Sequence, residues 1–578
     1  MARLRLTFLG FAFFVSFGVV LFRAMRLQLF PTQGIEQRAQ RQMNTHVEIV
    51  GRRGAVTDRL GRELAVSTNS QSIFVNPKLL KNSKKVANRL GKILAVDPKE
   101  ISNRIEKNSG RKFLWIERQL NKAQLKRLEK LGITDLEGVG LLPEYRREFP
   151  QGPLAAHVVG FVSVDGHGLE GIEKQFNEEL SGLTQRLLVS RDALGRPVFS
   201  QKEQLRFEQN TGSRVELTLD SRLQYSAEQA LEGAVRQNRA EGGSVIVMDP
   251  RNGEILALAN FPTVDLNKVK DFPTQFRRNR AITDPIEPGS VIKPLVVARA
   301  LEDKIVNSET VLKTWGGTLR VKGHLISESD SKHYFEKMTI SEILRLSSNV
   351  GMVVLKDLMG FAKVDDTFKK VGIGSRTGIE LSGESKGIYR PPTAAQLVEQ
   401  ATLSFGHGLA MTPLQIASVY STLANGGFRV RPHVIKRLVE GEVDGFTGFE
   451  TPESDLREKV FSSETMRILG GLLTNVVEAE GTGGQARVEG FQVAGKTGTS
   501  QRVDYEKGGY ESGAYISIFS GFFPAKSPRF VITVVIDKPS AGSYYGGKVA
   551  APVFSQIARD AARLGLSHSD RKIPPLSR

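Results

Sequence analysis

The sequence predicts an α+β protein: an antiparallel sheet covered by helices, preceded by an N-terminal apolar segment and a separate extended module. Three observations predict it. Strand-like runs open and close the C-terminal half, at residues 244–248 with 255–258 and at 515–523 with 530–536, and helical patterns lie between them. One uninterrupted apolar run, residues 6–22, sits near the start of the chain. At 578 residues the chain is also too long for one ordinary domain, which implies two or three.

Taken in order, the apolar run follows Arg3 and Arg5 and precedes Arg23 and Arg26. As a helix it spans about 26 Å, enough to cross a bilayer if the flanking arginines snorkel. No small-residue cleavage site follows it, so an uncleaved anchor is expected rather than a signal peptide. Two arginines on each side leave its orientation undecided. Residues 53–62 read as a strand interrupted by a turn. Residues 78–135 read as helical and basic, with Leu94, Ile101, Ile105, Leu125, Leu128 and Leu131 at apolar positions. Gly166, Gly168 and Gly171 mark a loop. Asp220 is an N-cap for a helix burying Leu223, Ala227, Ala230, Leu231 and Ala234.

Asp249-Pro250-Arg251-Asn252-Gly253 is hairpin chemistry between the first two strands. Thr412-Pro413 starts a helix that Gly426-Gly427 ends, and residues 465–478 give another with Met466, Leu469, Leu473 and Val476 on one face. The polar tail from Ser567 to Arg578 is expected to be disordered.

Composition excludes several function classes. Forty percent hydrophobic residues with both charge signs throughout describes a folded protein. The net charge of +18 is concentrated between Lys81 and Lys130, but no zinc-finger spacing or RNA-binding aromatic motif accompanies it. A solvated basic surface is therefore expected there, and no nucleic-acid partner. The absence of cysteine rules out disulfides and thiolate chemistry. Eight scattered histidines lack HExxH spacing, so neither a metal nor a cofactor is implied.

Three motifs carry chemistry. In Ser290-Val291-Ile292-Lys293, positions i and i+3 share a helix face, and Pro288-Gly289 before them with Pro294 after them place the serine at a helix N-terminus. A serine hydroxyl needs a base, and Lys293 serves only if burial or a nearby cation such as Lys496 keeps it neutral. SxxK alone is weak: it recurs at Ser109, Ser329 and Ser569. Ser347-Ser348-Asn349 lies between a short helix, for which Thr339 and Glu342 form a capping box, and a second apolar helix over residues 350–359. That turn would project a hydroxyl and an amide into a cleft. Residues 490–497, ending in Lys496-Thr497, fit the phosphate-binding pattern GxxxxGK[ST], yet Gly498, Thr499 and then Gly508-Gly509 follow without helical periodicity. A strand is expected instead, with Lys496, Thr497 and Thr499 meeting a carboxylate and Gly498 letting a substrate backbone lie close.

SxxK, SxN and KTGT in this order are the signature of penicillin-binding proteins and serine β-lactamases. The chain resembles the class B penicillin-binding proteins, monofunctional peptidoglycan D,D-transpeptidases, from about residue 51 to 554. Residues 53–61 resemble that class's N-terminal box, and Gly168-Leu169-Glu170-Gly171-Ile172-Glu173 its later pedestal motif. Ser404-Phe405-Gly406-His407-Gly408, Thr412-Pro413-Leu414-Gln415 and Tyr544-Tyr545-Gly546-Gly547 resemble the septal, cell-division branch. The resemblance implies a cytoplasmic tail and transmembrane anchor (1–26), a pedestal (46–235), a penicillin-binding/serine β-lactamase-like transpeptidase domain (236–565) and a disordered tail (566–578). It implies Ser290 as nucleophile, Lys293 as its base, Ser347 as proton relay assisted by Lys496, Asn349 as an orienting amide, and Thr497 and Thr499 as carboxylate ligands. The Ser290 and Thr499 N–H groups would form the oxyanion hole, and His407 would be a packed structural residue. Implied partners are peptidoglycan stem peptides, β-lactams, the inner membrane, a polytopic membrane glycosyltransferase and other division proteins. The implied location is the inner membrane, with the catalytic domain in the periplasm.

Overall fold

Alternation of buried side chains across one sheet organises the larger part of the molecule. The computed structural model describes residues 2–29, 44–49, 51–133, 136–191, 197–198, 211–329, 335–439, 457–478, 480–504 and 507–565. The tail expected to be disordered lies outside these residues. The chain divides into two units, one of residues 1–53, 67–146 and 182–212, the other of residues 54–66, 147–181 and 213–578.

The larger unit is built on a five-stranded antiparallel sheet. Its strands are β1 (Gly242–Met248), β2 (Ile255–Phe261), β3 (Ala494–Val503), β4 (Tyr510–Phe523) and β5 (Phe530–Asp537), in the order β2-β1-β5-β4-β3. Val245 and Val247 face one side of β1, and Ile246 and Met248 the other; all are buried. The first side is covered by α1 (Ser221–Gln237), through Leu223, Ala227 and Leu231, and by α7 (Ala551–Arg563), through Phe554 and Ile557. The second side is covered by α2 (Lys293–Glu302), α5 (Pro413–Ala424) and α6 (Ser463–Val477). Sheet faces with period two and helix stripes with period 3.6 thus close two cores around one sheet.

The expected caps form. The Asp220 carboxylate accepts the Arg222 N–H at the start of α1. Thr412 and Gln415 make a reciprocal capping box at α5, as do Thr339 and Glu342 at α3 (Ile340–Arg345). Two N-terminal segments that belong to this unit are also tightly held. The Asp58 carboxylate accepts from the Leu60 and Arg62 N–H groups and from the Ser221 hydroxyl at 2.7 Å. Arg147, buried, meets the fully buried Glu173 at 2.6 Å and donates to the Gly54 carbonyl at 2.8 Å.

In the smaller unit, the helix Ala2–Leu29 is long and apolar enough over Leu4–Leu29 to cross a membrane, and its apolar side chains are exposed. Strand Asn44–Ile49 pairs antiparallel with Gln185–Arg191. Helices Ser83–Leu94, Pro98–Lys107 and Lys122–Leu131 bury Leu90, Ile93, Ile101, Ile105 and Leu128 with Ile73 and Val75, while Lys84, Lys85, Lys92, Lys99, Lys107 and Lys126 are exposed. The all-helical expectation for residues 78–135 fails at Leu114–Glu117. That run is a strand paired with residues 73–75, since Leu-Trp-Ile favours a pleated, half-buried surface.

Removing the Glu173 carboxylate leaves the Arg147 guanidinium buried without its anion. Glu173→Ala should therefore cost about 3–5 kcal/mol of stability, read by chemical unfolding of the purified protein.

Candidate active site

Ser290 stands on a 3₁₀ turn, Gly289–Ile292, that leads into α2 at Lys293. Pro294 closes off any upstream hydrogen bond there. The turn is shaped by close backbone approaches. Gly289 has φ +54° and donates its N–H to the Gly406 carbonyl at 3.1 Å. Gly406 has φ +94°, and a Cβ on it would lie 2.0 Å from the Gly289 oxygen. Val291 and Ile292 point into the core, and the buried Tyr420 hydroxyl on α5 donates to the Val291 carbonyl at 2.9 Å.

Lys293 is fully buried. Its Nζ donates to the Ser347 carbonyl at 2.6 Å, to the Asn349 Oδ1 at 2.8 Å and, more distantly, to the Ser347 Oγ at 3.3 Å. No hydrogen bond joins it to Ser290 among the described residues. Burial drives the Lys293 pKa down to about 7, partly offset by the charge of Glu328. Of the two causes weighed from the sequence, burial or a nearby cation such as Lys496, it is burial that lowers Lys293. Lys496 has its own pKa lowered well below the lysine range, by burial first and by the charge of Lys293 second.

The Ser347-Ser348-Asn349 turn joins α3 to α4 (Asn349–Met359). Ser347 adopts φ +63°, a strained left-handed conformation for a residue with a side chain, and this points its carbonyl at Lys293. Ser348 caps α4 by accepting from the Gly351 N–H at 2.9 Å. Glu328 holds the turn from behind: it accepts from the Ser348 hydroxyl at 2.5 Å and from the Asn349 N–H at 2.6 Å. Asn349 Nδ2 donates to the Ser327 carbonyl, which fixes the amide with its oxygen toward Lys293.

Lys496, Thr497, Gly498 and Thr499 lie on β3, paired with β4 from Ala494↔Phe522 to Gln501↔Tyr515 and forming the edge of the sheet. A paired strand cannot offer the helix N-terminus that phosphate binding needs, so the nucleotide-loop pattern is an accident of sequence. Lys496 is fully buried and donates to the Thr497 carbonyl at 3.2 Å. The Thr497 hydroxyl donates to Thr482 at 2.8 Å, and the Thr499 hydroxyl accepts from the Gly546 N–H at 3.1 Å. Gly498 also has a role the motif does not announce: a Cβ there would lie 2.9 Å from both the Pro288 oxygen and Val291 Cγ1, so its missing side chain makes room for the Ser290 turn. Gly546 closes on the same strand, 2.3 Å from the Gly498 oxygen if given a Cβ.

The structure therefore links Lys293, Ser347 and Asn349 by hydrogen bonds, seats the Ser290 turn on Gly498, and couples Lys496 to Lys293 by charge. Burial, then the charge of Lys293, lowers the His407 pKa to about 4, which keeps the ring neutral beside Phe405. Sequence reasoning missed Glu328 and Thr482. Neither carries a motif, and Glu328 comes from a hairpin far along the chain from the turn it holds.

Residues 243–559 match the penicillin binding protein transpeptidase domain, and residues 48–217 match the penicillin-binding protein dimerisation domain. The chain belongs to the penicillin-binding protein transpeptidase family and has its class B architecture. It is 36% identical to the peptidoglycan D,D-transpeptidase FtsI of Escherichia coli over 510 residues, covering 87% of this chain and 82% of that one. It is 34% identical to the probable peptidoglycan D,D-transpeptidase PenA of Neisseria meningitidis over 557 residues, 96% of this chain and 91% of that one. Among solved structures, penicillin binding protein 3 of Mycobacterium tuberculosis complexed with aztreonam aligns with a TM-score of 0.68 at 27% identity, covering 91% of this chain and 98% of that one.

Two expected outcomes follow from this geometry. Gly498→Ala should slow penicillin acylation about 100-fold in a protein that still unfolds cooperatively, because it shifts the nucleophile turn by a fraction of an ångström to an ångström. With the Lys293 pKa lowered to about 7, a role for its neutral amine as base would make acylation rise about tenfold per pH unit below pH 7 and level off above it, as a stopped-flow pH profile would record.

Proposed function

We propose that the protein is a serine D,D-transpeptidase that crosslinks peptidoglycan stem peptides during septal wall synthesis, and a target of β-lactams. The observation that carries the reading is the fully buried Lys293 amine, held by Ser347 and Asn349 at the start of the helix that follows Ser290. In this reading Ser290 Oγ attacks the carbonyl between the last two D-alanines, and neutral Lys293 takes its proton. The amide bond breaks, the Ser347 hydroxyl passes a proton to the departing D-alanine amine, and an ester to Ser290 remains. An amine of a second stem peptide then attacks that ester, forming the crosslink and regenerating the serine.

Lys496, Thr497 and Thr499, with the Gly498 backbone between them, would hold the terminal carboxylate. The N–H groups of Ser290 and Thr499 would stabilise the oxyanion, a donor there being worth about 3 kcal/mol. A β-lactam enters the same first step, and its ring-opened ester is not displaced. The single N-terminal apolar helix supports a membrane anchor. We place residues 1–26 as cytoplasmic tail and anchor, 46–235 as pedestal and 236–565 as the catalytic domain outside the inner membrane. A membrane glycosyltransferase and other division proteins are the partners proposed on this arrangement.

Intact-protein and peptide mass spectrometry after incubation with a penicillin tests the reading. A stable adduct on the Ser290 peptide, absent in Ser290→Ala, is expected. Folded protein without an adduct would contradict it and favour a catalytically idle division scaffold.

A further inference from the structure

Three residues before the nucleophile, Glu287 carries a buried carboxylate that the acyl-transfer roles leave unused. Its Oε1 accepts from the Gly408 N–H at 2.9 Å. The Tyr510 hydroxyl donates to the carboxylate at 3.2 and 3.1 Å from its two oxygens. The Glu287 backbone carbonyl accepts from the Ser500 hydroxyl at 2.8 Å. One residue is thus gripped by the loop after the helix Leu397–Ser404, by β3 and by the first residue of β4.

The ladder between β3 and β4 explains why such a grip matters. It is regular up to Gln501↔Tyr515 and resumes at Val503↔Tyr510, leaving Arg502 alone opposite residues 511–514. Strand pairing therefore does not fix where the outer hairpin goes. Side chains do: Tyr510 reaches Glu287 on one side, and on the other Glu511 meets Lys538 at 2.5 Å. A carboxylate buried among neutral donors is a poor device for stability, because an apolar side chain could fill that space without the desolvation cost.

We propose that Glu287 is a positioning residue, tying the outer β3–β4 hairpin through Tyr510 and the 406–408 loop through Gly408 to the turn that bears Ser290. Both walls beside the nucleophile then keep one spacing relative to its hydroxyl. The inference rests on the transpeptidase reading, and it predicts an effect on the chemical step rather than on folding.

The test is acylation of the full-length detergent-solubilised protein by a fluorescent penicillin, with saturation kinetics separating initial binding from the first-order acylation step. Tyr510→Phe keeps the ring and removes only the hydroxyl. It should lower the first-order step about tenfold in a protein that still unfolds cooperatively, a loss of about 1.4 kcal/mol of transition-state stabilisation. Glu287→Gln retains an acceptor for Gly408 and should fall between wild type and Glu287→Ala. Combined with Tyr510→Phe, Glu287→Gln should cost less than it does alone, since both act through one tie. Wild-type acylation rates in well-folded Tyr510→Phe would overturn the inference alone. A wild-type protein that is never acylated would overturn the transpeptidase reading and this inference with it.

Discussion

Lys293 brings an amine into the interior, where a charge is costly and each N–H needs an acceptor. The Ser347 carbonyl and the Asn349 amide oxygen supply the two short contacts. Much of the surrounding structure serves to present them. Ser347 is held at positive φ, Ser348 caps α4, and Glu328 locks the turn through two short hydrogen bonds. The folded state favours the neutral amine, so the unfolded chain binds the extra proton between the ordinary lysine range and pH 7. Stability contributed by this site therefore falls as pH drops through that window and is flat below it. The site gives up stability to hold an amine that is partly neutral at neutral pH.

Close backbone contact is the second constraint. Gly289, Gly406 and Gly498 bring three segments distant in sequence to within van der Waals range around one 3₁₀ turn. Any side chain at Gly406 would overlap backbone, and one at Gly498 would press on the turn itself. Nucleophile, loop and edge strand therefore move together or not at all. The glycine of the KTGT motif acts on the enzyme's own backbone, a role that an account limited to substrate contacts would overlook.

Much of this was legible in the sequence where the signal is local. Asp220, Thr412 with Pro413, and Thr339 with Glu342 announced helix starts, and strand-like apolar runs announced β1, β2, β4 and β5. The order of SxxK, SxN and KTGT named the site's parts. What stayed hidden depends on long-range placement. Glu328 and Glu287 gain their meaning only when distant elements fold onto them, and no spacing rule connects them to the groups they hold. The strand at Leu114–Glu117 was masked by helical neighbours on both sides. The choice between burial and a nearby cation as the cause of the Lys293 shift stayed open, because burial is a sum over the whole fold, whereas a nearby lysine can be read from a motif.

Burial lowers the Lys293 pKa to about 7, so that neutral and protonated amine coexist at neutral pH. Nuclear magnetic resonance of the protein with ¹³Cε-labelled lysine, assigned by comparison with Lys293→Met, would follow that amine directly through a pH titration. A titration midpoint near 7 is expected in the folded, unacylated protein. A Lys293 signal that stays protonated until the ordinary lysine range would contradict it and require another base for Ser290.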